Sequence, residues 1–147
     1  MKRKILSRIF YTFLGVLLLS SCEEEASLLK DESVKDIAGT WKIVSLTRNG
    51  EDLTQRIDLS KFRLVFNADG TYAMQDKMAF VTDKPGTYKL GDPQYPFSLV
   101  LTPQGQEETK IKFQFPVIEG KRQLSLTLSP GCASNTYQYN FARENEE

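Results

Sequence analysis

Alternating apolar and polar residues, turn-forming links every few residues and no convincing 3.6-residue apolar repeat predict an all-β chain. The architecture these features favour is an eight-stranded antiparallel up-and-down β-barrel, with a two-sheet β-sandwich as the alternative. Eight strand-like runs fall at residues 41–48, 62–66, 71–81, 86–90, 97–101, 109–115, 123–129 and 136–142.

Ahead of the first run, Ser33 followed by Asp36 has capping-box character, with Val34 and Ile37 on one side, which predicts a single helical turn. The first strand breaks strict alternation. Trp41 and Ile43 share one face while Val44 and Leu46 share the other, so the second face needs cover from the N-terminal turn or from a partner. In the third run Tyr72, Met74, Asp76, Met78 and Phe80 have one parity, and a continuous strand would carry Asp76 into an apolar interior. A lone buried carboxylate is costly, and Asp and Lys are poor strand formers, so Asp76-Lys77 is expected to break the strand at the barrel rim.

The last three runs alternate cleanly. Ile111, Phe113 and Phe115 oppose Lys110, Lys112 and Gln114; Leu124, Leu126 and Leu128 oppose Gln123, Ser125 and Thr127; Tyr137, Tyr139 and Phe141 oppose Thr136, Gln138 and Asn140. One wet and one dry face suits an antiparallel sheet. Asn67-Ala68-Asp69-Gly70 is a tight hairpin turn, whereas 91–96, 116–122 and 129–135 are longer Pro- or Gly-bearing loops. Short links make successive strands neighbours, and closure removes both exposed edges.

The segment before the domain reads as a secretory signal over 1–21. Lys2, Arg3, Lys4 and Arg8 precede an apolar stretch from Ile9 to Leu19, too short and wrongly flanked for a spanning helix. Leu19-Ser20-Ser21-Cys22 resembles the lipobox of bacterial lipoproteins. That resemblance implies that Cys22 is acylated with palmitate-type chains and becomes the first mature residue. Residues 22–35 then form the acylated Cys and an acidic tether, 36–143 the barrel domain and 144–147 an acidic tail. Glu23, Glu24 and Glu25 resemble the export signal that sends Bacteroidota lipoproteins to the cell surface, which implies a lipid-anchored, surface-exposed outer-membrane protein.

Four basic residues leave with the signal, so the mature chain carries fifteen basic against nineteen acidic residues, a net charge of −4. No nucleic-acid partner is expected from that balance. Membrane attachment is expected through acyl chains. With Cys22 acylated, Cys132 stands alone and no disulfide is expected.

Gly39-Thr40-Trp41 resembles the Gly-X-Trp signature of lipocalins. Phe66-Asn67-Ala68-Asp69-Gly70-Thr71-Tyr72 and Gly86-Thr87-Tyr88-Lys89-Leu90 resemble lipocalin-like domains of Bacteroidota lipoproteins, many of them in families of unknown function. The resemblance covers about residues 36 to 143. It implies a structural closed end, in which Trp41 plugs the barrel beneath Arg143. It also implies a ligand-binding mouth at the other end, served by 49–61, the stretch after Met74, 102–108 and 129–135. Residues 49–61 are expected to form a short helix or lid with Leu53 and Ile57 facing inward, beside Met74, Asp76, Met78 and Phe80.

The chain contains no histidine, which removes Ser-His and Cys-His pairs, histidine metal sites and histidine-ligated haem. No phosphate loop or metal-spaced cluster occurs. No enzyme activity, catalytic residue, cofactor or metal is expected. Two functions remain: a barrel that takes a small apolar or amphipathic ligand through its mouth, or a scaffold lipoprotein with a filled core that docks a protein partner.

Overall fold

The computed structural model describes residues 32–76, 82–131 and 134–144. Among these the chain forms ten strands and no helix: β1 (Gly39–Arg48), β2 (Glu51–Asp52), β3 (Arg63–Phe66), β4 (Thr71–Gln75), β5 (Gly86–Leu90), β6 (Ser98–Pro103), β7 (Thr109–Gln114), β8 (Val117–Ile118), β9 (Lys121–Leu128) and β10 (Tyr137–Arg143). Eight are staves of a closed antiparallel barrel in the order β1-β3-β4-β5-β6-β7-β9-β10, with β10 returning to β1. The two-residue strands β2 and β8 are clipped onto β1 and β9. The eight staves correspond to the eight runs expected from alternation. The sandwich alternative falls, because the first and last strands pair from Trp41↔Arg143 to Arg48↔Tyr137.

A β-bulge explains the broken alternation of β1. Ile43 faces Phe141 and Ser45 faces Asn140, so Val44 is the extra residue. One added residue flips the parity, which returns Leu46 to the interior at 2% exposure and leaves Val44 outside. The second apolar face inferred from sequence is therefore a single exposed valine.

Two turns place both central residues in the left-handed region. Asn49-Gly50 (φ 51° and 83°) links β1 to β2, and Glu119-Gly120 (φ 52° and 79°) links β8 to β9. Both fit the type I′ hairpin, whose twist matches the flanking strands. Segment 49–61, expected as a short helix or lid, and segment 116–122, expected as a loop, thus each contain a short ladder. At Asn67–Gly70 the expected hairpin turn forms, with Gly70 at φ 82°. Its Asp69 carboxylate accepts hydrogen bonds from the Thr71 amide at 2.9 Å and hydroxyl at 2.6 Å.

The helical turn expected at 33–37 is absent; residues 32–38 have no regular structure. The reason is competition. Asp36 spends its carboxylate on the Ala38 amide at 2.8 Å, and the Lys35 amide donates to the Pro93 carbonyl at 2.7 Å. Ile37, 1% exposed, is drawn down as a plug over one end of the barrel. Burial of that side chain outweighs one turn of marginal helix.

The titratable groups predict a stability plateau with two edges. Hydrogen bonds from Thr54, Ser60 and Thr71 hold the Asp52, Asp58 and Asp69 carboxyls below 3.8. What they contribute is present above that value and is lost as pH falls. Burial raises the Tyr72 and Tyr88 phenols and pushes Tyr139 from 10.0 up to about 12. The folded chain keeps these protons after the unfolded chain has lost them. The contribution of these phenols is thus full below pH 10 and falls from there towards about 12. Urea midpoints across this range should show the alkaline fall, and Tyr139→Phe should flatten it. An unchanged alkaline limb in that variant would refute the assignment.

Candidate functional site

The two ends of the barrel are chemically different. At one end Trp41 is fully buried, and its indole N–H donates to the Ile37 carbonyl at 2.9 Å. The Phe115 ring meets the indole edge-on at 6.2 Å. Arg143, directly opposite Trp41 in the β1–β10 ladder, places its guanidinium carbon 4.8 Å from the indole centroid. Its Nη1 donates to the Ala38 carbonyl at 2.8 Å and Nη2 to the Asp36 carbonyl at 3.4 Å. A Cβ on Gly39 would sit 3.2 Å from Nη1, and Gly39 has φ 140°, so glycine there permits this close approach.

The acidic residue next to Arg143 does not compete for it. Glu144 instead accepts from Arg63 Nε at 2.6 Å, and its amide donates to the Thr40 carbonyl at 2.9 Å. The tail is thereby latched onto β3 and β1, while the Arg143 guanidinium caps the indole.

The mouth holds the residues expected to bind a ligand. Residues 49–61 make turns and the β2 ladder, not a helix. Leu53 packs half-buried against the core, but Ile57 is 43% exposed and faces away, contrary to the expected inward pair. The inward residues from this connection are Leu59 and Phe62, 8% and 2% exposed, with Phe62 6.4 Å from Phe141. Asp52 explains the difference, since its carboxylate accepts from the Thr54 amide at 2.8 Å and Thr54 in turn accepts from the Leu46 amide at 3.1 Å. Those bonds fix a tight turn that swings Ile57 out. Sequence reasoning missed Leu59, although its spacing to Phe62 was a usable sign of a packed return.

Met74 is half-buried on the core, and β4 ends one residue later at Gln75. Asp76 is exposed with φ 64°, so the strand breaks at the rim and the carboxylate is not carried inside. Met78, Phe80, Cys22 and Cys132 lie outside the described residues.

Between the two ends the interior is solid along its walls. Trp41, Leu64, Leu99, Leu101, Phe113, Leu124, Leu126 and Phe141 are each 0% exposed. A water-sized void against any of them would give it exposure, so none touches these eight side chains. Tyr139 stacks between Tyr137 and Phe141 at 6.4 Å on either side, and Phe66 meets Tyr88 at 4.6 Å. An eight-stranded barrel is narrow enough for side chains to fill it, and here aromatics do so.

The outer surface also carries a polar ladder. Gln138 Nε2 donates to Ser125 Oγ at 3.0 Å, and Asn140 Nδ2 donates to Ser45 Oγ at 2.9 Å, tying β9, β10 and β1 together from outside. Among the described residues no group of three or more acidic or cysteine side chains is placed to hold a metal ion.

A family model described as a domain of unknown function (DUF5004) matches residues 20–142. The chain belongs to that family. No curated protein and no solved structure matches it.

Proposed function

We propose that this member of a family without an assigned function is a non-catalytic lipoprotein of the outer membrane. Acyl chains on Cys22 anchor it, and its filled barrel serves as a rigid platform for a protein partner at the cell surface. The observation that carries the reading is the interior: eight wall residues with zero exposure leave no axial space for a ligand against them. The architecture is that of a lipocalin-like barrel, with Leu59 and Phe62 packed where an open calyx would have its mouth. The anchor rests on the lipobox resemblance at Cys22, and the family match takes in that residue and the acidic run behind it.

Native mass spectrometry of the protein extracted gently from its own host tests this reading. The expected spectrum shows an acylated chain beginning at Cys22, with a protein partner and no retained small molecule. A small apolar molecule retained in fixed proportion would instead support the ligand-binding reading, with Met74 and the adjoining rim as its site. Cys22→Ser should move the protein from the membrane to the soluble fraction, because a stable anchor needs two or more acyl chains. Membrane retention of that variant would contradict the anchor.

A further inference from the structure

The structure exposes apolar side chains at one pole that the filled-platform reading does not use. Seven large apolar residues are exposed among those described, and five of them lie on segments at the sealed pole: Val34, Tyr95, Phe97, Val117 and Ile118. Phe97 is 79% exposed, the highest of the seven, although its parity with Leu99 and Leu101 would place it inside. It stands just before β6, where Ser98 begins the ladder by facing Lys112. The segments that carry the five are physically joined. Lys35 is hydrogen-bonded to Pro93, the Phe97 carbonyl accepts from the Phe113 amide at 3.0 Å, and the β8–β9 hairpin continues from Phe115.

The point at which the chain enters the barrel says what meets this pole. The barrel unit begins at Ser33, on the segment that crosses the sealed end. Cys22 is eleven residues upstream, which bounds the tether at about 40 Å fully extended. The pole from which the tether leaves is thus held close to the lipid that takes the acyl chains, at high effective concentration.

We propose that the sealed pole docks into the lipid interface of the membrane that anchors the chain, with Phe97, Tyr95, Val117, Ile118 and Val34 seated at the headgroup–acyl boundary. This rests on the anchoring at Cys22 proposed above. The side chains suit that depth, since aromatic residues favour the interface and aliphatic ones the acyl boundary. In the hairpin, Ile118 faces Lys121, whose long side chain can reach back to the phosphates, while Arg122, opposite Val117, is held over the Phe115 ring at 5.3 Å and donates to the Phe115 carbonyl at 2.8 Å. Asp36, Asp92 and Glu119 offset Lys35, Lys121 and Arg122 at the same end. Asp36 and Asp92 already accept backbone hydrogen bonds from Ala38, Gln94 and Tyr95. Apolar insertion rather than net charge therefore drives the docking, and added salt should leave it nearly unchanged.

The test uses the acylated full mature protein in phosphatidylethanolamine–phosphatidylglycerol vesicles with brominated acyl chains. Flotation reads the anchor, and quenching reads the docking. F97W introduces an indole at the sealed pole, and I57W introduces one at the mouth as a control. Both sites are exposed, so neither change disturbs the core, and buried Trp41 supplies the same background in each. Insertion by 5–10 Å should cut the F97W emission by about half while leaving I57W unaffected. Flotation without F97W quenching would overturn the docking and leave the anchor standing, as would equal quenching of both variants. F97W emission shielded only by an added host protein would assign the pole to a protein occupant instead. Failure to float would remove the anchor and this inference together.

Discussion

Replacing Trp41 by alanine is expected to destabilise the barrel by about 3–5 kcal/mol, a large share of the roughly 5–15 kcal/mol available to a domain of this size. Three losses coincide. A fully buried indole leaves a cavity that Phe115 and Arg143 line from two sides. The Ile37 carbonyl loses its 2.9 Å donor beneath the plug. The guanidinium loses the aromatic face on which it rests, a contact contributing about 0.5–2 kcal/mol. Trp41→Phe keeps part of the volume and should cost clearly less. Urea unfolding followed by circular dichroism measures both, and equal midpoints for wild type and W41A would show that the sealed end is not structural.

The second large effect is expected at Gly86, where backbone geometry rather than side-chain packing is limiting. A Cβ there would lie 2.1 Å from the Thr102 carbonyl oxygen and 2.8 Å from Pro103 Cα. Both are main-chain atoms, so β5 and β6 would have to separate. Gly86 also faces Tyr72 in the β4–β5 seam, which among the described residues has two paired positions. Displacement therefore loads the ladder that is shortest among the described residues of the eight staves, and Gly86→Ala should cost about 3 kcal/mol or more. Gly105→Ala is the control, since nothing lies within 4 Å of its Cβ position and only its φ of 71° opposes the change. Its cost should stay near 1–2 kcal/mol. A G86A barrel as stable as G105A would refute the close approach of β5 to β6.

These two positions show which parts of the molecule were legible in the sequence. Alternation disclosed all eight staves, because a strand with one wet face repeats every two residues. The Gly39-Thr40-Trp41 signature pointed to the sealed end, and the Asp76 parity conflict pointed to a rim. Alternation could not show that Val44 was a bulge, since an inserted residue looks the same as a second apolar face. The Asn49-Gly50 pair was a readable hairpin sign that was absorbed into a longer loop. Ile57 failed for a different reason: hydrogen bonds around Asp52 and Thr54 set its direction, and hydrophobicity carries no information about them. Phe97 likewise has the right parity for the interior but stands one residue before its ladder begins. The need for glycine at position 86 depends on the approach of β6, a contact between segments that no local pattern encodes.

The closure of the barrel through its first and last strands underlies the sealed pole, the filled interior and the placement of the tether. Nuclear Overhauser contacts between β1 and β10 test it most directly. Cross-strand contacts should pair Ile43 with Phe141 and Leu46 with Tyr139, with the register stepping by one residue at Val44. An unbroken register across Val44, or no contact between these strands, would contradict the closed barrel and everything built on it.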